Sequence, residues 1–73
     1  MEEFANRLQT LRESKRPVRS RKVTSELCGL PSDAIRRYER GEAEPTLSSL
    51  LLIADYFEVT LDELTGRSGE KWN

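Results

Sequence analysis

The sequence contains no histidine and a single cysteine, Cys28. A lone cysteine excludes an intrachain disulfide. Without imidazole, a metal site would have to use that one thiol plus carboxylates, and no such ligand cluster is visible. There is no glycine-rich phosphate loop and no nucleophile–base pair, so the chain does not read as an enzyme and implies no cofactor. No apolar run approaches the length of a membrane span or a signal-peptide core, so a cytoplasmic location with no membrane partner is expected. Internal repeats and low-complexity segments are absent, no strand-like alternation outcompetes the helical periods, and no small-molecule ligand is evident. The 73 residues amount to one small domain, whose thin core makes stability depend on several helices packing together.

Charged residues are plentiful and nearly balanced in sum, but not in their distribution. The net charge is −1. Residues 12–40 carry nine Lys/Arg against four acids, a balance of +5, and residues 41–73 carry seven acids against Arg67 and Lys71, a balance of −5. The first 11 residues, with Glu2, Glu3 and Arg7, add −1. A local basic face is what phosphate binding needs, and an acidic remainder keeps non-specific association weak.

The basic segment holds the stretch around which the chain is organised, Leu27 to Gly41. It reads as the end of a short helix, a turn at Gly29, and a second helix that Gly41 stops. Helix, glycine turn and helix form a helix-turn-helix unit, whose second helix can lie in the major groove of DNA. That helix, expected over about residues 32–40, carries Arg36, Arg37 and Arg40 outward and Ile35 and Tyr38 inward.

The flanking elements follow from periodicity and caps. A first helix is expected over residues 3–14, with Phe4, Leu8 and Leu11 at i, i+4 and i+7. Arg12 lies at the edge of that stripe, and spacing alone leaves it either an ordinary surface arginine or a partner of something packed beside it. Lys15 to Arg19 is a basic linker that Pro17 keeps out of the helix, either a solvated loop or a phosphate-facing arm. The second helix is expected from Ser20 or Arg21 to Cys28, with Ser20 as N-cap and Val23 and Leu27 on its inner face. Arg21 and Lys22 fall in its first turn, where the helix dipole disfavours cations unless an anion lies there. Cys28 reads as a small core residue and not a reactive thiol. Thr46 caps a fourth helix in which Leu47, Leu50, Leu51, Leu52, Ile53, Ala54 and Phe57 make an unusually wide apolar surface, which marks it as the central helix. Thr60 and Glu63 form a capping box, and Val59 and Leu64 are placed for a hydrophobic staple, so a short fifth helix follows and ends at Gly66. Residues 1–67 are read as the domain and residues 68–73, with Trp72, as a flexible tail.

These pieces together resemble a known family: the single-domain helix-turn-helix of phage repressors and Xre-type bacterial regulators, the Cro/cI-like and lambda-repressor-like group. The resemblance is carried by Leu8-x-x-Leu11-Arg12, Ser25-x-x-Cys28-Gly29-Leu30, Ile35-Arg36-Arg37-Tyr38-Glu39-Arg40-Gly41, Glu44-Pro45-Thr46-Leu47-x-x-Leu50, Ile53-Ala54-Asp55-Tyr56-Phe57 and Val59-Thr60-Leu61-Asp62-Glu63-Leu64. It covers about residues 4–67. It implies an all-α, compact five-helix fold and an ion pair between Arg12 and Glu39. It also implies base contacts from Ser32, Asp33, Arg36 and Arg37. Phosphate contacts are implied at Arg21, Lys22 and Arg40, with Arg19 in the basic arm beside them. The chain departs from the family pattern in its longer linker, which lacks a glutamine, in Thr24 where a core leucine is usual, and in Pro31 where a serine cap is usual.

The expected partner is double-stranded DNA, read by a repressor-type regulator that binds a pseudo-palindromic operator as a homodimer. An arginine can donate two hydrogen bonds to guanine O6 and N7. Asp33 has two readings, a filter that accepts from a cytosine amino group or a favourable charge at the start of the helix. The alternative function is a protein-interaction module of the same fold, an antitoxin or adaptor. It would use the acidic C-terminal half around Glu58, Asp62 and Glu63, or Trp72.

Overall fold

The computed structural model describes residues 2–66. Five helices follow one another: α1 (Glu2–Ser14), α2 (Arg21–Cys28), α3 (Ala34–Glu39), α4 (Leu47–Phe57) and α5 (Leu61–Thr65). No strand occurs among the described residues. The expected tail and Trp72 lie outside them.

Every helix sends at least one side chain into a single core. Phe4 and Leu8 come from α1, Cys28 from α2, Ile35 from α3, Ile53 and Ala54 from α4, and Leu64 from α5. Leu11, Leu30, Tyr38, Val59 and Leu61 pack around them. The Tyr38 ring lies 5.9 Å from that of Phe4, tilted by 59°, a favourable aromatic geometry that ties α3 to α1. Tyr38 is therefore a packing residue.

The helix boundaries have local causes. Ser20, Thr46 and Thr60 each accept a hydrogen bond from the backbone N–H three residues on, at 3.1 Å in all three cases. Glu63 returns the bond by accepting from the Thr60 N–H at 2.8 Å, which completes the capping box. At the other end of α2, the Gly29 N–H donates to the Glu26 carbonyl and the Leu30 N–H to the Ser25 carbonyl, with Gly29 at φ 84°. This is a Schellman closure, and the left-handed residue it needs is why glycine stands there.

The same closure ends α4, where the Glu58 N–H donates to Asp55 and the Val59 N–H to Ala54. Here the left-handed position, φ 58°, is held by Glu58 and not by glycine. A side chain with a Cβ costs about 1–2 kcal/mol in that conformation. Glu58→Gly relieves it while giving back some unfolded-chain entropy. The expected result is a net gain of about 0.5–1 kcal/mol, visible as a higher Tm in thermal unfolding, and a lower Tm would show that the Glu58 side chain makes a contact worth more than the strain.

Packing corrects three sequence expectations. The inner face of α2 is Thr24, Ser25 and Cys28, whereas Val23 is only half-buried and Leu27 is 53% exposed. Small side chains face α3 because the two helices approach closely there, as the Ser25–Ile35 bond described below shows. Second, α4 is not the central helix. α1 packs against both α3 and α5, and α2 against α3, while α4 packs mainly on α5 and α2. Its buried arc is Leu50, Ile53, Ala54 and Phe57, an i, i+3, i+4, i+7 stripe, and Leu47, Leu51 and Leu52 are exposed. Third, α3 is shorter than residues 32–40. Ser32 and Asp33 belong to a turn closed by the Ala34 N–H on the Pro31 carbonyl at 3.0 Å, and Arg40 is the C-terminal cap.

Candidate nucleic-acid interface

The late start of α3 raises the question of what satisfies its first amides, which have no partner inside the helix. Asp33, at the N-cap, makes no side-chain cap hydrogen bond. The partner comes from α2 instead. The Ser25 hydroxyl accepts from the Ile35 N–H at 3.0 Å, buried, and donates to the Arg21 carbonyl at 2.8 Å. One hydroxyl thus fixes the position of α3 relative to α2. The neighbouring Thr24 is equally buried, yet its Oγ1 has no hydrogen-bond partner. The two positions predict opposite outcomes. Ser25→Ala strands a buried amide and is expected to cost about 1–3 kcal/mol, whereas Thr24→Val removes an unsatisfied hydroxyl and is expected to stabilise by about 1 kcal/mol. Urea unfolding of the two variants reads both signs in one experiment.

A second connection holds α3 to α1. The Arg12 guanidinium meets the Glu39 carboxylate through Nε at 2.7 Å and Nη2 at 3.1 Å. Its Nη1 donates to the Arg19 carbonyl at 3.2 Å. The hydrogen bonds to Glu39 raise the Arg12 pKa above its ordinary value. Arg12 therefore sets both the tilt of α3 and the path of the linker into Ser20. The linker is drawn back a second time by Arg16, whose guanidinium donates to the Glu13 carbonyl at 2.6 Å.

On this frame the exposed groups fall into two grooves. Ser20, Arg21, Lys22, Ser32, Asp33 and Arg36 line the first, between the start of α2 and the turn before α3. Residues expected at phosphates and residues expected at bases thus line one groove. No acidic residue occupies the first turn of α2, so the positive end of that helix adds to Arg21 and Lys22 and suits an anion. Arg37 does not join them. It lines a second groove with Pro31, Ala34, Tyr38, Ala43, Glu44 and Ser49, which shares Asp33 with the first, because successive residues of a helix point about 100° apart. Arg19 and Arg40 are exposed.

The arginines of α3 differ in their company. Arg36 Nη2 lies 4.0 Å from Asp33 Oδ2, and its Nη1 lies 3.8 Å from Glu42 Oε1. Arg40 Nε lies 3.0 Å from Glu42 Oε2. Arg37 makes no ion pair among the described residues. Asp33 thus faces Arg36 and does not cap α3. Sequence reasoning missed two residues here, Ser25 and Glu42. Ser25 could have been suspected as a small polar residue on the buried side of a short helix. Glu42 gave no signal, because Gly41 breaks the helical register between it and the arginines.

Burial pushes the Cys28 thiol up to about 11, so it stays protonated and inert at neutral pH. No group of three or more His, Cys, Asp or Glu that could hold a metal ion occurs among the described residues, and no described helix is long and apolar enough to cross a membrane.

The helix-turn-helix family profile matches residues 19–64, from the linker through α5. The chain is 38% identical over 66 residues to the HTH-type transcriptional regulator AnsR of Bacillus subtilis (strain 168), covering 90% of this chain and 55% of that protein. It is 44% identical over 39 residues to the cryptic phage CTXphi transcriptional repressor RstR of Vibrio cholerae serotype O1, covering 53% of this chain and 35% of that protein. The chain thus spans about half the length of the first of these relatives and about a third of the second. No solved structure matches it significantly. With the matched segment containing both helices of the unit and the α4 and α5 side of the core, the chain belongs to the helix-turn-helix family, in its Xre and Cro/cI-like group.

Proposed function

We propose that this chain is a sequence-specific, double-stranded DNA-binding unit of a transcriptional regulator of the repressor type. In this reading α3 and the turn before it enter the major groove. Arg36, Arg37, Ser32 and Asp33 face base edges, and Arg19, Arg21, Lys22 and Arg40 face phosphates. One observation carries the reading: the groove that joins Arg21 and Lys22 at the start of α2 to Ser32, Asp33 and Arg36 at the start of α3. Phosphate-binding and base-reading groups must sit side by side on one surface for a protein to hold register on a duplex and read it. The basic balance of residues 12–40 within a chain of net charge −1 supports the same face.

One recognition helix reads few base pairs, so the chain acts as a homodimer on a pseudo-palindromic operator. Selection of bound duplexes from a random pool at near-physiological salt tests this. Enrichment of a two-fold-related motif with half-sites about one helical turn apart is the expected result. A single enriched half-site would refute the dimer and keep the reader. No enrichment at either low or physiological salt would refute DNA reading and point to a protein partner at the acidic half.

A further inference from the structure

The turn that leaves α3 delivers a carboxylate onto the helix's own arginines. Glu42 Oε2 lies 3.0 Å from Arg40 Nε, and Oε1 lies 3.8 Å from Arg36 Nη1. The two arginines are one helical turn apart on the same face, so a single carboxylate spans both. Its placement is not that of a loose loop. The Glu42 N–H donates to the Arg37 carbonyl at 2.8 Å and the Gly41 N–H to the Tyr38 carbonyl at 3.1 Å. This Schellman closure turns on the left-handed Gly41, φ 71°. Asp33 approaches Arg36 from the other end at 4.0 Å. Arg36 is thus flanked by two carboxylates, while Arg37 makes no ion pair among the described residues.

A carboxylate on a guanidinium offers the charge and the acceptor oxygens that a phosphate offers. We propose that Glu42 is an intramolecular stand-in for DNA phosphate, occupying Arg36 and Arg40 in the free protein so that binding to unspecific DNA is held down. The proposal rests on the DNA-binding reading above. On a random duplex, Arg36 and Arg40 only exchange one anionic oxygen for another, and Glu42 is left facing the backbone charge. On the correct site, Arg36 gains a base edge that the carboxylate cannot imitate. The contact is broken in both modes and lowers both affinities by a similar factor, and only the specific complex has a base contact to set against that loss. The side chains concerned remain about half exposed, 43% for Arg36, 58% for Arg40 and 41% for Glu42. The pair is weak enough to be displaced readily, and its effect is a few-fold.

The test is Glu42→Gln, which removes the charge and keeps the backbone closure, with Glu42→Ala as a second variant. Binding of each to a random-sequence duplex and to the selected duplex is followed by fluorescence anisotropy across a salt series, after thermal unfolding has shown the variants folded. Affinity for the random duplex is expected to rise about two- to fivefold at low salt. The selected duplex should gain by a similar factor, and both gains should fade as salt rises. Unchanged or weaker binding to the random duplex by a folded variant would overturn the proposal and make Glu42 an aligner of Arg40. A wild-type chain that binds no duplex at any salt would overturn the DNA reading and the proposal with it, a result distinct from a wild type that binds and variants that bind no better.

Discussion

Glu39→Ala is expected to lower stability by about 3–5 kcal/mol, because it leaves the largely buried Arg12 charge with only the exposed Glu13 carboxylate, 3.9 Å away, beside it. The side chains are 12% and 4% exposed for Arg12 and Glu39 respectively, so water cannot replace the carboxylate cheaply. Small domains hold only about 5–15 kcal/mol in total, and the loss should lower Tm by more than about 10 °C. Arg12→Ala should cost a similar amount from the other side and also free the Arg19 carbonyl. Arg12→Lys is no rescue, since one ammonium cannot reproduce the fork that meets both Glu39 oxygens and a third acceptor. The paired change Arg12→Met with Glu39→Leu should recover most of the loss, because two apolar groups of similar volume need no solvation. A double-mutant cycle in urea checks this, and single variants within about 1 kcal/mol of wild type would show the pair to be decorative. The pH behaviour follows from the raised Arg12 pKa. A cation whose folded pKa is raised stabilises below its unfolded pKa and loses that only as pH rises through the folded value. For an arginine both lie above the range in which the protein is handled, so the Arg12 contribution is flat with pH.

That ion pair and the helix caps show which parts of the fold are written locally. Ser20, Thr46 and the Thr60–Glu63 box act on amides three residues away, and Gly29 and Gly66 are needed by their own backbone angles. Such signals can be read in a window of four or five residues, and the boundaries of α2, α4 and α5 followed from them. The start of α3 could not be read this way. Pro31, Ser32 and Asp33 all suit a helix entry, and the group that satisfies the Ile35 amide is Ser25, ten residues earlier. Faces failed for a related reason. On the eight-residue α2, Val23 and Leu27 are two apolar points that allow a stripe, but the approach to α3 selects the small side chains instead. On α4 the excess of leucine hid which arc is buried. The Arg12–Glu39 pair, 27 residues apart, entered from family resemblance and not from any period. The candidate interface divides along the same line: its basic residues stand out in composition, while the split of Arg36 and Arg37 between two grooves needs the helix axis to be known.

That split leads to the second large effect. Arg37→Ala is expected to weaken binding to the selected duplex by about 10- to 100-fold, the equivalent of about 1–3 kcal/mol for a lost bidentate contact. It should relax the preference at one position of the site and leave random-duplex affinity nearly unchanged. Arg40→Ala should do the reverse, lowering affinity for both duplexes alike and reducing the slope of log K against log salt by about 1. Arg36→Ala should fall between them. Arg36 must leave Asp33 and Glu42 to reach a base, so part of its contact energy is already present in the free protein. Arg37 has no ion pair to give up among the described residues, and its whole interaction is gained on binding. The ranking therefore comes from the free structure and not from residue type, since all three are arginines on α3 or its C-terminal cap. Anisotropy titrations of the three variants on both duplexes over a salt series decide it. An Arg37→Ala variant that loses equally on random and selected DNA would make Arg37 a phosphate contact. Base reading would then rest on the groove that holds Ser32, Asp33 and Arg36.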